Sequence, residues 1–330
     1  MLQVSFYSYK GGAGRSTTSW NTIQRLVDLM KPSVKEPFVI VDTDAESAGS
    51  TFLYKARSIF YKNEKKASIQ KRMNSESSMK VSEDDRKEFF NGMHPIGTKS
   101  FGLPKEEDNA VLFIGADLDK SARWDIKSDE QIIKNFNKIR RDCKQCGAKA
   151  LFFDTPSGTQ DLARLSIQQS DIIVCCMRPT YQFLEGTIGQ LISFIEGDQE
   201  KDGKRKYILT PTVICVDSGQ EFFSGGQKRY YPQQAKDDIK TVFDTEGEAM
   251  TGKSDSFKQT FKDSVILDML EPTPKDDIKV FGIPEIKRFK WFETCLGLLS
   301  EDELSDNDRM AVRRYEYLAQ TILKYKKEQP

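Results

Sequence analysis

The chain has 330 residues, and its 50 Lys and Arg balance 50 Asp and Glu, which excludes a generally polybasic nucleic-acid binder. At 38% hydrophobic and 30% charged it has the composition of a soluble globular protein, long enough for one large α/β domain or two small ones. No apolar run approaches the ~20 residues of a membrane span, and residues 1–6 lack the basic start and apolar stretch of a secretory signal, so a cytoplasmic location is expected.

Residues 1–9, rich in Val, Phe and Tyr, read as a first strand. Lys10-Gly11-Gly12-Ala13-Gly14 is a glycine loop, and Arg15–Met30 reads as a helix with Ile23, Leu26, Val27 and Met30 at helical spacing. Residues 38–41 form a continuous apolar strand ended by Asp42-Thr43-Asp44, as suits a parallel strand buried on both faces. Residues from about 54 to 108 break the pattern and read as an insertion. Within it, Lys55–Lys80 carries Lys or Arg at 55, 57, 62, 65, 66, 71, 72 and 80 against Glu64 and Glu76.

Regular alternation then returns. Strands are expected over 110–114, 150–153, 172–177 and 212–216, and helices over 129–143, 162–169 and 183–195. The helix over 129–143 places Ile132, Ile133, Phe136 and Ile139 on its apolar face. A second polar stretch, about 218–254, reads as irregular. A helix over 257–270, a short strand over 278–281, Ile283-Pro284 and a last helix over Asp306–Lys327 complete the chain. Strands alternating with helices predict a doubly wound, mostly parallel α/β sheet in one domain over 1–330, with polar insertions at about 54–108 and 218–254. Ligands bind such sheets at the carboxyl ends of the strands. The glycine loop, Asp42 and Asp44, and Asp154 all follow strands.

Consecutive glycines let a backbone wrap an anion with its N–H groups turned inward, and the helix start at Arg15 adds free N–H groups and a positive dipole end. Ser16, directly after the basic residue, supplies a hydroxyl suited to Mg²⁺. Lys10-Gly11-Gly12-Ala13-Gly14-Arg15-Ser16 resembles the deviant Walker A motif of the ParA/MinD superfamily, in the branch with Arg where Lys is usual. Val41-Asp42-Thr43-Asp44 resembles that family's second motif, and Phe153-Asp154-Thr155-Pro156 its Walker B motif. Ile283-Pro284 resembles the Ile-Pro after its late strand. The resemblance covers about 1–53, 110–217 and 256–327.

The resemblance implies a P-loop ATPase that binds Mg-ATP, hydrolyses it slowly and forms an ATP-dependent sandwich homodimer. Lys10 would reach the partner protomer's phosphates, and Arg15 would hold the β- and γ-phosphates of its own nucleotide. Gly11, Gly12, Ala13 and Gly14 would supply backbone N–H groups, Ser16 would bind Mg²⁺, and Thr17 would contact the α-phosphate. Asp44 would position the attacking water, Asp42 and Asp154 would hold Mg²⁺ through water, and Asp217 would face the adenine. Such a switch would signal to a protein partner or to nucleic acid.

Arg15, a planar guanidinium where an ammonium is usual, supports an alternative reading. In it the chain is a nucleotide-sensing or structural subunit of a multi-protein assembly, such as an anti-phage or conflict system, with negligible turnover. The basic Lys55–Lys80 segment is a candidate contact for nucleic-acid phosphates, against the reading as a solvated face paired with Glu83-Asp84-Asp85. Lys287-Arg288-Phe289-Lys290-Trp291-Phe292 could stack bases, although packing of its aromatics on the sheet is the simpler reading. The last helix has a narrow apolar stripe, so docking onto the domain is expected rather than membrane targeting. His94 is the single His and argues against Ser-His-Asp or Cys-His catalysis. Cys143 and Cys146 form the one spaced cysteine pair. With no second pair to complete a zinc site, the cysteines read as reduced structural thiols and a metal-cluster carrier is the weakest reading.

Overall fold

The computed structural model describes residues 1–44, 49–53, 69, 90, 93–116, 129–159, 161–199, 205–214, 221–224, 227–248, 253–271, 281–287 and 295–327. The basic Lys55–Lys80 segment, Ile69 apart, lies outside these residues, as do Asp217 and residues 288–292. Two compact units emerge: Met1–Tyr7 with Ser19–Ser170, and Ser8–Thr18 with Asp171–Pro330.

The first unit holds strands β1 (Leu2–Tyr7), β2 (Phe38–Asp42), β3 (His94–Pro95), β4 (Val111–Ile114) and β5 (Ala150–Asp154), in the order β1-β5-β2-β4-β3. The pairs β1/β5, β5/β2 and β2/β4 are parallel, and short β3 runs antiparallel to β4. Every residue of β1, β2, β4 and β5 is buried, as suits parallel strands covered on both faces. Register sets Phe6 and Asp42 each opposite Asp154, so three strands end level with one another. Helix α1 (Arg15–Met30) follows the glycine loop. Helices α2 (Gly49–Leu53), α3 (Gly97–Phe101), α4 (Asp129–Gln145) and α5 (Asp161–Gln168) complete the unit.

Phe136, Ile139 and Cys143 of α4 and Leu165 of α5 pack with Val39, Val41, Leu112, Ile114, Leu151 and Phe153 of the strands. The rings of Phe136 and Phe153 lie 5.2 Å apart, and each buried aromatic of this size contributes ~1.5–3 kcal/mol. Ile133, expected on the apolar face of α4, is instead 43% exposed. Among its described side chains the helix buries Asn135, Phe136, Ile139, Asp142 and Cys143.

The second unit holds β6 (Ile172–Met177), β7 (Lys206–Pro211) and β10 (Val265–Ile266), parallel and in the order β10-β7-β6. Its helices are α6 (Tyr181–Gln199), α7 (Tyr231–Glu248), α8 (Asp255–Ser264) and α9 (Asp306–Lys327). β8 (Glu221–Ser224) and β9 (Gln227–Tyr230) form an antiparallel hairpin, with α7 directly after it. The stretch 218–254, expected to be irregular, therefore carries regular structure.

Two further expectations shift. The strand placed over 212–216 lies at Lys206–Pro211, and Val213 takes a left-handed backbone with φ 57°. Ile214 then makes a single parallel bridge to Pro284. The helix placed over 257–270 starts at an N-cap, Ser254, whose side chain accepts from Phe257 N, and ends at Ser264. β-Branched Val265 and Ile266 take up strand pairing there instead of prolonging the helix. α9 follows its expected bounds; of the stripe Ala311, Tyr315, Leu318, Ile322 and Tyr325 expected to dock, it buries the first four and half-buries Tyr325. Together these elements make a doubly wound, mostly parallel α/β fold. Among the described residues no helix is long and apolar enough to cross a membrane.

Candidate functional site

The glycine loop belongs to the second unit. Gly12 (φ 78°) and Gly14 (φ 67°) both occupy the left-handed region, where a side chain is strained. Gly11 and Gly12 are exposed, Ala13 is buried, and Ser16 and Thr17 are half-buried. Thr18 N donates to Gly14 O at 2.9 Å and opens α1. Two groups without a local sequence signal hold the loop from outside. Thr212 Oγ1 donates to Ala13 O at 2.6 Å, and Arg178 Nε donates to Gly12 O at 2.8 Å. Arg15 is only 9% exposed, with Nη1 3.4 Å from Ser8 Oγ. Tyr9, beside half-buried Lys10, lies so close to α6 that a Cβ on Gly186 would overlap its ring.

Beside the loop lies a cavity of about 320 Å³. Gly12, Gly14, Thr17, Thr18, Arg178, Thr212, Val213, Tyr315 and residues 283–286 line it. The part of this lining formed by residues 212–214 and 283–286 is stitched by backbone bonds: Ile283 N to Pro211 O at 2.8 Å, Ile214 N to Ile283 O at 3.0 Å, and Glu285 N to Ile214 O at 2.8 Å. This places Ile283-Pro284, singled out in the sequence, on a ligand-sized cavity. Tyr315 reaches it from α9. Its hydroxyl is hydrogen-bonded with Thr18, and burial, then the nearby Cys176 and Cys295, push its ionisation far up.

Gly282 turns the chain into this wall at φ 60°, where a Cβ would meet Pro211 O at 2.5 Å. Gly282→Ala is therefore expected to lower stability by roughly 1–3 kcal/mol, read from denaturant midpoints; an unchanged midpoint would contradict this turn geometry.

The carboxylates belong to the first unit. Asp42 and Asp154 end β2 and β5 as register partners, 0% and 1% exposed. Asp42 Oδ2 accepts from Thr51 N at 2.8 Å and Thr51 Oγ1 at 2.7 Å, and its Oδ1 accepts from Asp44 N at 3.1 Å. Asp154 Oδ2 accepts from Ser50 Oγ at 2.5 Å. Burial, and secondly the Asp154 charge, push the Asp42 carboxyl up to about 7, against the lowering by its Thr51 hydrogen bonds. Buried carboxylate oxygens that repel one another suit a hard cation. Among the described residues no three His, Cys, Asp or Glu gather to chelate a metal by themselves. That donor set fits Mg²⁺ shared with phosphate oxygens and water, the usual mode for this ion.

Lys10, Arg15, Ser16 and Thr17 thus gather on one loop, and Asp42, Asp44 and Asp154 at one set of strand ends. Asp217 is outside the described residues. Ser50, Thr51, Arg178 and Thr212 carry no sequence signal for a site, and Tyr315 is expected only on the docking stripe of the last helix. Cys143, Cys146, Cys175, Cys176 and Cys295 are all buried.

No protein-family model and no curated protein sequence matches the chain. Solved structures do. The MinC:MinD cell division complex of Aquifex aeolicus aligns with TM-score 0.55 at 12% identity, covering 97% of this chain and 96% of that one. The ParA of pNOB8, bound to nonspecific DNA, aligns with TM-score 0.55 at 10% identity over 100% of both chains. A Borrelia burgdorferi B31 protein assigned to plasmid partition, bound to AMPPNP, aligns with TM-score 0.52 at 14% identity, covering 98% of this chain and 99% of that one. The chain therefore has the fold of the ParA and MinD ATPases.

Proposed function

We propose that this protein is a ParA/MinD-type switch ATPase that binds Mg-ATP, hydrolyses it slowly and pairs with a second copy in the ATP state. The observation that carries this reading is the loop Lys10–Thr17. It is held open by left-handed Gly12 and Gly14, opens α1, and borders a cavity of about 320 Å³. The fold shared with ParA and MinD supports it.

In this reading the backbone N–H groups of residues 11–14 and the α1 start bind phosphate. Arg15 neutralises charge on the β- and γ-phosphates, and Thr17 contacts the α-phosphate. Ser16, Asp42 and Asp154 serve Mg²⁺, Asp44 orients the attacking water, and Lys10 acts on the partner's nucleotide. Mg²⁺ supplies charge neutralisation to the phosphates when bound. Phosphoryl transfer needs positioned charge more than covalent chemistry, and these residues supply it. The nucleotide state then sets which surface is offered to a protein or nucleic-acid partner.

Light scattering with Mg-ADP and with a non-hydrolysable Mg-ATP analogue tests this. A monomer with ADP and a dimer with the analogue are expected, and Lys10→Ala should weaken the dimer ~100-fold or more through loss of a buried charge contact. One mass in all states, with nucleotide bound, would overturn the switch. It would leave the second reading, a nucleotide-sensing or structural subunit, which is favoured by the buried guanidinium of Arg15 at the position where Lys is usual.

A further inference from the structure

Resting on the reading that the glycine loop holds a nucleotide, we infer that Arg178 is a binding residue for that nucleotide's phosphates, acting from the cavity side of the loop. All six residues of β6 are buried, and Arg178, directly after them, is the first exposed side chain at that strand end. The backbone turns there, with Thr180 N donating to Arg178 O at 2.8 Å. The side chain folds onto the loop, where Nε donates to Gly12 O at 2.8 Å. At Gly12 a Cβ would find nothing within 4 Å, so the loop is open beside this contact.

Charge makes the position informative. Among the described residues lining the cavity, Arg178 is the one cation and Glu285 the one anion. The loop's other guanidinium, Arg15, is buried, turned toward Ser8, and does not line the cavity. Arg178 has no carboxylate partner among the described residues. A guanidinium carries five N–H donors, and Nε uses one on Gly12, which leaves the two Nη groups for a ligand. Planar, always charged and bidentate, they match phosphate oxygens. A nucleotide with its base against residues 283–286 would carry its charged end toward Gly14 and Thr17, which line the cavity together with Arg178. The Gly12 bond then has a purpose: it holds the fork in place before the anion arrives.

Calorimetric titration with Mg-ADP separates this role from simple support of the loop. Gln is the informative substitution, because its Nε2 sits as many bonds from Cα as Nε of Arg. Arg178→Gln keeps a donor for Gly12 O and removes only the charged fork. The expected result is an affinity loss of about tenfold or more in both Arg178→Gln and Arg178→Ala. Loss in Arg178→Ala with wild-type binding in Arg178→Gln would show that the Gly12 bond is the whole role and overturn the phosphate contact. Wild-type affinity in both variants would overturn it as well. A wild-type protein that binds no Mg-ADP would instead overturn the nucleotide reading, and this inference with it.

Discussion

Arg314→Ala is expected to lower the unfolding free energy by about 4 kcal/mol, in the range reserved for lost buried networks. Arg314 of α9 is 1% exposed. Its Nε donates to Gly282 O at 2.8 Å, Nη1 to Glu271 O at 2.9 Å and Nη2 to Met269 O at 2.7 Å. Alanine would leave three backbone acceptors without these donors, each costing ~1–3 kcal/mol where water does not replace them, and would open a cavity. The Tyr317 ring, 5.2 Å from the guanidinium, would lose its cation as well. Arg314→Lys should recover part of the loss, since an ammonium reaches some of these oxygens but not with a planar fork. Urea unfolding checks the order Arg > Lys > Ala, and a loss under about 1 kcal/mol in the alanine variant would show that the network is dispensable.

The effect should not stay in the core. Gly282 leads into residues 283–286, the wall of the cavity, and Tyr315, the next residue of α9, lines the same cavity. Loosening one end of that wall should also weaken Mg-ADP binding in any variant that still folds.

How much of this was legible in the sequence depended on whether the signal is local. The strands Phe38–Asp42, Ala150–Asp154 and Ile172–Met177 stood out because parallel strands buried on both faces need unbroken apolar runs. The glycine loop and the carboxylates stood out because backbone freedom and strand-end acids are properties of a few neighbouring residues. β7 was hidden. Tyr207-Ile208-Leu209 is a short apolar core flanked by Lys206 and Thr210-Pro211, whereas Thr212 to Val216 is the better strand by composition. The left-handed backbone of Val213 ends the ladder where composition would continue it.

α7 was hidden in another way. Among its described side chains the buried ones, Ala235, Ile239 and Phe243, recur every fourth position inside a polar stretch, which does not shift the composition. The hairpin before it had a signal that composition obscured, Gly225-Gly226 between Phe222-Phe223 and Arg229-Tyr230. Arg178 and Thr212 had no local signal, and Tyr315 had only that of a docking stripe. They come from the end of β6, the residue after β7 and the middle of α9, and only tertiary folding gathers them at one cavity. Ser50 and Thr51 likewise acquire meaning only when α2 turns their hydroxyls onto Asp154 and Asp42.

With divalent ions removed, the protein is expected to lose stability as pH rises from about 4 to about 7, and Asp42 is expected to carry the loss. In the folded state its carboxyl holds a proton up to about 7, whereas an unperturbed Asp releases it near 3.8. Between those values the folded state binds more protons than the unfolded one, so raising the pH favours unfolding. One group contributes a slope of at most ~1.4 kcal/mol per pH unit. The causes are burial first and the Asp154 charge second, neither of which the Thr51 hydrogen bonds overcome.

Asp42→Asn removes the titration, so the difference in stability between variant and wild type should grow in the variant's favour across this window. A difference that stays flat with pH would remove Asp42 as the cause. In the proposed reading a bound cation would relieve the same repulsion. Above about pH 7 Asp42 is ionised beside Asp154, and a bound Mg²⁺ would offset what burial and like charge impose. Mg-ADP should therefore raise the thermal midpoint of the wild type at pH 8 by more than that of Asp42→Asn, because only the wild type has this repulsion to relieve.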